Sequence, residues 1–337
     1  MKKKISYKAA GVDIAAGEKA VEGIKDDARS TFTPRVLSEL GKFGGFFDLE
    51  GLDYRQPVLV SSIDGVGTKL KVAFMMKKHD TIGEDLVNHC INDILVGGAK
   101  PLFFLDYIGV GKLYPDVMEE IVSGMARACR NAGCALIGGE MAEMPGLYQN
   151  AEYDVAGCIT GIVEKERIVD GSRIAEGNVL IGLPSNGLHT NGYSLARKVL
   201  FEDATLTVES RPDELGMSLG EALLQVHLCY LASVHPLLDR FDILGMSHVT
   251  GGGLIGNTRR TLPAGFGLKI DWNAWSVPPI FRLIQEMGHI ENQEMRRTFN
   301  LGIGFVLITD KGEVDRVIEA LEKTGETPVV VGEVVAG

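Results

Sequence analysis

Short runs of apolar, β-branched residues alternate with stretches of helical periodicity along most of the chain. Residues 57–63 predict a buried strand, because the run is short, β-branched and bounded by turn residues. Residues 81–96 predict an amphipathic helix, since apolar side chains recur there every three or four positions. Further strands are predicted at 102–108, 134–137, 153–163, 179–183, 267–270, 302–308 and 328–334. Further helices are predicted from Asp116, with Glu119 completing a capping box, to Gly133, near 194–201, and across 219–241.

The stretch 164–177 is charged and polar and interrupts this alternation, so it predicts a domain boundary. We therefore expect an N-terminal domain at 1–168 and a C-terminal domain at 169–337. Each half mixes helices with strands, which predicts an α+β or mixed α/β fold. The segment before residue 54 is polar and poorly periodic, and we expect a mobile loop around residues 25–34.

Composition excludes several classes of function. The chain has 34 Lys and Arg against 45 Asp and Glu, a formal net charge of −11. A nucleic-acid binder needs a basic stripe to neutralise phosphates, and the only basic run is Lys2, Lys3 and Lys4. The most apolar stretch, 91–110, is broken by four polar or charged residues and predicts no membrane span.

Two further features of the sequence indicate the cellular compartment of the protein. The basic N-terminus has no apolar core after its lysines and predicts no signal peptide. The five cysteines are scattered and form no C-x-x-C pair, which favours reduced thiols over disulfides or a zinc site. We therefore expect a cytoplasmic protein.

The 42 glycines cluster where predicted strands end, either as tight turns or as bare backbone that lets a ligand approach. The first cluster follows the strand at 57–63. Its candidate binding residues are Asp64, Gly65, Gly67, Thr68 and Lys69. The acid can hold a hard cation, the glycine amides can face anionic oxygen, and the lysine can neutralise phosphate. The alternative is a β-turn without function, and the combination favours the functional interpretation.

The polar side of the helix at 81–96 is a second candidate. It carries Asp85, Asn88, His89, Asn92 and Asp93 at three- and four-residue spacings, and the helix has no Lys or Arg. Like charges on one helix face repel each other, and a divalent ion would offset that repulsion. Oxygen ligands indicate Mg²⁺ rather than zinc, and we interpret His89 as a packing or surface residue.

Three more polar segments follow predicted strands. Glu140 comes after two glycines, a position suited to a cation or substrate, whereas Glu143 can share that task or face solvent. His189 lies in a loop of hydroxyl and amide groups and is either a general acid/base or a structural hydrogen-bonding residue. The last segment contains Gly251, Gly252 and Gly253, whose amides can hold a phosphate-bearing substrate.

Taken together, these motifs resemble the aminoimidazole ribonucleotide synthetase family, also called the phosphoribosylformylglycinamidine cyclo-ligases. The match runs nearly end to end. The segments that carry it are YKAAGVDI at 7–14, DILVGGAKP at 93–101, FFLDY at 103–107, GGEMAEMPG at 138–146, HTNGYSL at 189–195, TGGG at 250–253 and RTFN at 297–300. The first and the fourth of these segments are specific to this family.

The resemblance implies a homodimer whose N-terminal domains build an intersubunit β-barrel, beside a C-terminal α/β domain. It implies that Asp64, Asp93 and Glu140 hold Mg²⁺ and that ATP lies along residues 64–69, reached by Lys25. It implies substrate contacts from Asn191 and the glycines at 251–253. The catalytic residues it implies are His189, Glu140 and Asp93.

The implied reaction is the ATP-driven ring closure of formylglycinamidine ribonucleotide to aminoimidazole ribonucleotide, with His189 as the candidate base. Selenophosphate synthetases and hydrogenase-maturation dehydratases depend on a cysteine that this chain lacks at the required place. The related amidotransferases are far longer and carry a glutaminase domain. Thiamine-phosphate kinases lack the GGEMAEMPG segment. From another class, a non-catalytic nucleotide-sensing scaffold would be expected to have lost an acidic position, and all are present.

Overall fold

The computed structural model describes residues 6–337, so the run Lys2, Lys3 and Lys4 lies outside the described residues. The chain divides into two compact units. The first comprises Met1–Arg55, Leu59–Cys90 and Pro101–Ile162, and the second comprises Gln56–Val58, Ile91–Lys100 and Val163–Gly337. Among the described residues, no helix combines the length and the apolar character needed to cross a membrane. The predicted mixture of helices and strands in each half is confirmed.

The first unit is built around a four-stranded sheet with helices. Its elements are α1 (Ile14–Arg29), β1 (Pro57–Gly65), α2 (Leu70–Met76), α3 (Ile82–Leu95), β2 (Lys100–Val110), α4 (Pro115–Ala132), β3 (Ala135–Glu143) and β4 (Tyr153–Glu164). Residues 91–95 of α3, which include Asn92 and Asp93, belong to the second unit. The strand order is β1-β4-β2-β3, and β2 runs parallel to β3 with Tyr107 opposite Glu140. The apolar residues predicted for α3 and α4 are buried, as the helical periodicity requires.

Helix α1 contradicts residues 25–29 of the expected mobile loop at 25–34, whereas residues 30–34 lie outside the helix. Lys25 lies within this helix, which contacts α4 and β3. Its buried positions are Ala20 and Ala28, eight residues and therefore about two turns apart, so they share one face. The prediction was wrong because alanine contributes little to a hydrophobic pattern, although it lets two helices approach closely.

The start of α4 also differs from the prediction. The helix begins at Pro115 after Tyr114, and no side chain caps it, so the capping box of Asp116 and Glu119 is not formed. Asp116 instead lies in the first turn, where its negative charge interacts favourably with the positive end of the helix dipole.

The second unit contains a five-stranded sheet in the order β6-β8-β5-β9-β7, in which every neighbouring pair is antiparallel. Its strands are β5 (Val179–Pro184), β6 (Ile243–His248), β7 (Phe266–Ile270), β8 (Ile303–Thr309) and β9 (Val329–Ala336). Its helices are α5 (Tyr193–Arg197), α6 (Leu219–Leu223), α7 (Leu231–Val234), α8 (Gly253–Thr258), α9 (Pro279–Gly288), α10 (Asn292–Thr298) and α11 (Val314–Glu322). Strands β5, β8 and β9 supply much of the buried apolar core.

The helix predicted across 219–241 is wrong. Two short helices, α6 and α7, occupy this segment and are separated by an irregular stretch. The side chain of Asn92 bonds to the backbone of that stretch, donating to the carbonyl of Leu228 at 2.8 Å and accepting from the amide of Tyr230 at 3.0 Å. These bonds replace helical ones, and a turn of 3₁₀-helix containing Pro236 follows α7.

Candidate functional site

Asp64 lies at the end of β1 and is the first candidate ligand in the first unit. The amide of Gly65 donates to Asp64 Oδ1 at 2.7 Å, and His89 Nε2 lies 2.8 Å from Asp64 Oδ2. His89 is buried on α3. Its imidazole therefore orients the Asp64 carboxylate from that helix. We interpreted His89 from the sequence as a packing or surface residue, and the structure gives it this more specific contact.

The loop after Asp64 exposes some residues and buries another. Gly67 and Thr68 are exposed, and Gly65 is partly buried. Lys69, in contrast, has no exposed surface, and its Nζ lies 2.8 Å and 2.7 Å from the two carboxylate oxygens of Asp85, which is equally buried. Burial lowers the pKa of Lys69, and the charge of Asp85 opposes that effect. Lys69 therefore neutralises an internal carboxylate, and its contact with phosphate stays a prediction.

Glu140 is exposed on β3, next to an unusual pair. A β-carbon at Gly139 would lie 2.2 Å from Oδ1 of Asp106, so only glycine leaves room for that carboxyl group. Burial, with a smaller effect from the charge of Glu140, raises the pKa of Asp106 to about 7. Gly139 thus accommodates a second acid that the sequence alone did not single out as a site residue.

A cavity of about 960 Å³ opens between α1, β2 and β3 in the first unit. Lys25, Asp106 and Glu140 line it. Lys25 also forms an ion pair with Glu22, one turn earlier on α1. The volume is that of a typical small-molecule site and is large enough for a nucleotide. The structure thus places Lys25, a predicted nucleotide contact, and Glu140, a predicted Mg²⁺ ligand, in the lining of one cavity.

Asp64 and Glu140 are not brought together within one chain. They lie on β1 and β3, which are the two edges of the four-stranded sheet. Three strand spacings of about 4.8 Å separate these edges by roughly 14 Å. One ion cannot bind to both carboxylates of the same first unit.

Glu143 has a structural role that the sequence did not indicate. Its Oε2 accepts from the amide of Asp13 at 2.6 Å and its Oε1 from the amide of Leu113 at 2.8 Å. Both carboxylate oxygens are thereby bonded to backbone. Glu143 is partly buried and holds the start of α1 against the end of β3 through these two bonds.

In the second unit, Asp93 is paired with a histidine. His248, the last residue of β6, places its Nδ1 2.8 Å from Asp93 Oδ1. His248 is buried, and the Asp93 side chain keeps 29% of its surface exposed. The carboxylate is therefore oriented from within the protein and remains accessible to a ligand.

His189 lies in the loop between β5 and α5 and is only 2% exposed. Its backbone φ is +60°, and its ring stacks on that of His227 with centroids 4.1 Å apart. A β-carbon at Gly304 would lie 2.7 Å from Cε1 of His189, so glycine there makes room for the ring. Sequence reasoning missed His227, because no local motif surrounds it and its partners are 21 and 38 residues distant.

The remaining predicted substrate residues are close to each other. A β-carbon at Gly251 would lie 3.2 Å from Oδ1 of Asn191, so the two predicted loops meet. Gly251 and Gly252 are exposed, whereas Gly253 is buried at the start of α8. Asn257 donates to the carbonyls of Gly253 and Thr250 at 3.0 Å and 3.2 Å, which fixes the shape of the glycine loop.

Comparison with known proteins assigns the chain to a family. The family model "AIR synthase related protein, N-terminal domain" matches residues 52–163, and "AIR synthase related protein, C-terminal domain" matches residues 175–337. The chain therefore belongs to the AIR synthase related proteins. It contains both the N-terminal and the C-terminal domain of that class.

Relatives define the family more narrowly. A protein of Desulfitobacterium hafniense (strain DSM 10664 / DCB-2) named phosphoribosylformylglycinamidine cyclo-ligase is 54% identical over 329 residues, covering 98% of this chain and 96% of that protein. A protein of the same name from Geobacillus sp. (strain WCH70) is 52% identical over 332 residues, covering 98% and 96%. The chain belongs to the phosphoribosylformylglycinamidine cyclo-ligase family, which confirms the resemblance seen in the sequence.

Solved structures share the fold at much lower identity. Thiamine-monophosphate kinase from Stenotrophomonas maltophilia K279a matches with a TM-score of 0.70 and 14% identity, covering 94% of each chain. HypE of E. coli, a hydrogenase maturation protein, matches with a TM-score of 0.69 and 17% identity, covering 95% of this chain and 91% of that one. These two proteins represent rivals considered from the sequence, and their low identity supports a common fold alone.

Proposed function

We propose that the chain catalyses the ATP-dependent cyclisation of formylglycinamidine ribonucleotide to aminoimidazole ribonucleotide, with release of ADP and phosphate, in de novo purine biosynthesis. The observation that carries this proposal is the 54% identity to a named cyclo-ligase over 98% of the chain. The site supports it, because it offers carboxylates, glycine amides and a lysine rather than an activated nucleophile. Phosphoryl transfer depends mainly on positioning and charge neutralisation, for which such groups are suited.

The reaction proceeds in two steps. The formyl amide oxygen of the substrate attacks the γ-phosphorus of ATP, ADP leaves, and the amide nitrogen loses its proton, which gives an iminophosphate. The amidine nitrogen then attacks the same formyl carbon, and the carbon–oxygen bond to phosphate breaks. One proton leaves the attacking nitrogen, so a base is required at that point.

The candidate metal ligands Asp64, Asp93 and Glu140 suit Mg²⁺, because all three offer carboxylate oxygen. Two of them already accept a hydrogen bond from a buried imidazole, His89 for Asp64 and His248 for Asp93. Bound Mg²⁺ would neutralise the phosphate oxygens and polarise the transferred group. The protein's part is to hold these carboxylates in fixed orientations before nucleotide binds.

ATP would bind in the first unit. Lys25, which lines the 960 Å³ cavity with Glu140, would supply positive charge. The exposed backbone at Gly67 and Thr68, with the partly buried Gly65, would face phosphate oxygen. Lys69 would support this loop from beneath through its bond to Asp85.

We propose that His189 takes the proton that leaves the amidine nitrogen and that Asn191 and the loop at Gly251, Gly252 and Gly253 hold the substrate. His189→Asn tests the base, because asparagine tolerates the positive φ and lacks the imidazole. We expect kcat to fall about 100-fold or more. His289→Asn is the matched control, since His289 also has a positive φ and is exposed. Wild-type turnover by His189→Asn at saturating substrate would refute the assignment.

We also propose that the protein is a cytoplasmic homodimer with an intersubunit β-barrel. On β1, Leu59 and Ile63 are 57% and 70% exposed and share one face of the strand. Tyr107 of β2 is exposed as well. A second copy would cover such a face, and barrel closure would remove the exposed edges β1 and β3. All five cysteines are free, which is compatible with the reducing compartment proposed.

The separation of Asp64 from Glu140 allows a sharp test of the dimer. If one site takes Asp64 from one chain and Glu140 from the other, Asp64→Asn and Glu140→Gln homodimers are both inactive. A mixed dimer then regains one intact site. Co-expression of the two variants should restore up to about a quarter of the wild-type activity, because half of the dimers are mixed. Activity no higher than that of either parent would mean that each site is built from one chain.

The activity itself is tested by incubating the protein with ATP, Mg²⁺ and formylglycinamidine ribonucleotide. We expect one ADP and one phosphate for each aminoimidazole ribonucleotide. ADP should not form when the ribonucleotide is omitted. ATP binding without any cyclised product would overturn the proposed function and favour a nucleotide-sensing role.

A further inference from the structure

A line of hydrogen-bonded side chains runs through the second unit from Thr190 to Asp93. The separations are 3.3 Å from Thr190 Oγ1 to His227 Nδ1, 2.9 Å from His227 Nε2 to His248 Nε2, and 2.8 Å from His248 Nδ1 to Asp93 Oδ1. Thr190 and both imidazoles are buried, and His227 has no exposed surface. In a buried chain of this kind, the donor at one junction determines the donor at the next.

The carboxylate of Asp93 sets the direction of the chain. An ionised carboxylate only accepts, so the proton at its junction belongs to His248 Nδ1. In a neutral His248, the Nε2 atom is then an acceptor, and His227 Nε2 must donate to it. The Nδ1 atom of His227 in turn accepts from the hydroxyl group of Thr190. One tautomer of each imidazole is thereby selected.

His227 is held in place by contacts outside this chain. Asn92, the residue before Asp93 on α3, bonds to the backbone of Leu228 and Tyr230 at 2.8 Å and 3.0 Å. The His227 ring also stacks on His189, with 22° between the ring planes. The same turn of α3 therefore supplies the carboxylate and fixes the segment whose imidazole completes the chain.

We infer that His227 is a positioning residue that, through His248, fixes the orientation of the Asp93 carboxylate and couples it to the loop at Thr190. The inference rests on the proposed role of Asp93 as a metal ligand. With Oδ1 committed to His248, rotation of the carboxylate is restricted and one orientation is presented to the cation. Thr190 lies between the proposed base His189 and the proposed substrate contact Asn191, so the chain links the metal ligand to the substrate loop.

Two variants of His227 separate hydrogen bonding from packing. His227→Phe keeps a flat ring against His189 but removes both nitrogens. His227→Gln restores a donor to His248 Nε2, since the glutamine amide can replace the imidazole N–H. We expect the Mg²⁺ concentration for half-maximal activity to rise about 10- to 100-fold in His227→Phe, with most of the effect reversed in His227→Gln. His289→Asn, at an exposed helix end, is the control and should match the wild type.

A second readout needs neither metal nor activity. Nitrogen NMR of the histidine rings in the metal-free wild type should show His248 protonated only at Nδ1 and His227 only at Nε2. In His227→Phe, Asp93 should still hold the proton on His248 Nδ1, whereas the Nε2 signal should shift because that atom loses the N–H donor from His227. This measurement also decides the matter if His227→Phe does not fold.

Three results would overturn the inference. The wild type could show His248 protonated at Nε2 or at both nitrogens, His227→Phe could leave the Mg²⁺ requirement unchanged, or His227→Gln could be no better than His227→Phe. Failure of the proposed function is distinguishable, because it would remove cyclo-ligase activity from the wild type and leave the tautomers of His227 and His248 as stated.

Discussion

The buried pair of Lys69 and Asp85 allows a quantitative test of what this lysine does. Both side chains have no exposed surface, and Nζ lies within 2.8 Å of both carboxylate oxygens. In Lys69→Met, the carboxylate of Asp85 stays buried without its cation. Breaking a buried pair in this way lowers the free energy of unfolding by about 3–5 kcal/mol, whereas removing both charges costs little. We therefore expect the double variant Lys69→Met, Asp85→Leu to recover most of the loss.

Urea unfolding followed by circular dichroism measures the effect. With a slope of about 2 kcal/mol per M, the single variant should unfold at a midpoint roughly 2 M lower. Lys78→Met is the control, because its ion pair with Asp80 is 2.8 Å long but half-exposed, and we expect a change within about 1 kcal/mol.

The same variants separate a structural lysine from one that binds phosphate. If Lys69 only neutralises Asp85, the double variant should keep a KM for ATP within a few-fold of the wild type. A stable double variant whose KM for ATP rises tenfold or more would refute this reasoning and restore Lys69 as a phosphate ligand. A single variant that loses less than about 1 kcal/mol would also refute it, since a buried charge pair cannot be removed at that cost.

Three further predictions follow from the first unit. The pKa of Asp106 is about 7 in the folded chain and 3.8 in the unfolded chain. Between pH 4 and 7, the folded chain therefore keeps a proton on Asp106 that the unfolded chain has released. Stability should therefore fall by up to about 4 kcal/mol as the pH rises through that range, and thermal unfolding of Asp106→Asn should lack this contribution. Gly139→Ala should lower the free energy of unfolding by about 1–3 kcal/mol and raise the KM for ATP, because the added methyl group would displace the Asp106 carboxyl group. If both values are unchanged, the Asp106 carboxyl group moves aside without cost and the reasoning is wrong. His89→Phe should raise the Mg²⁺ requirement about 10- to 100-fold by removing the N–H donor to Asp64, and an unaltered requirement would exclude that role.

Much of the fold is predictable because its strands are short and β-branched and its longer helices are amphipathic. The strands at 57–63 and 179–183 and the helix at 81–96 are all present at nearly the predicted bounds. Helix α1 escaped prediction since alanines form its buried face. The segment at 219–241 has an apolar pattern suited to a helix. Hydrogen bonds from the Asn92 side chain to its backbone interrupt that helix.

The candidate site was predictable only in part, for a related reason. Acidic residues at strand ends and along a helix can be recognised locally, which is how Asp64, Asp93 and Glu140 were selected. The direction of a side chain in space depends on distant residues. Nothing around Lys69 indicates that its ammonium group turns inward to Asp85, and nothing around His227 indicates that it meets His248.

The two acidic residues of α3 that the sequence singled out are paired with other elements, Asp85 with Lys69 and Asp93 with His248. The helix contains no Lys or Arg, and from the sequence this indicated that a divalent ion supplies the missing charge. In the structure, imidazoles donate to Asp64 and Asp93, each from within its own unit, at 2.8 Å. A neutral imidazole stabilises a carboxylate by hydrogen bonding but does not cancel its charge. If both histidines were imidazolium, the carboxylates would already be neutralised and would attract a cation weakly. The neutral tautomer expected for His248 in the chain through His227 therefore preserves the negative charge of Asp93 that Mg²⁺ requires, while fixing the direction in which that charge is presented.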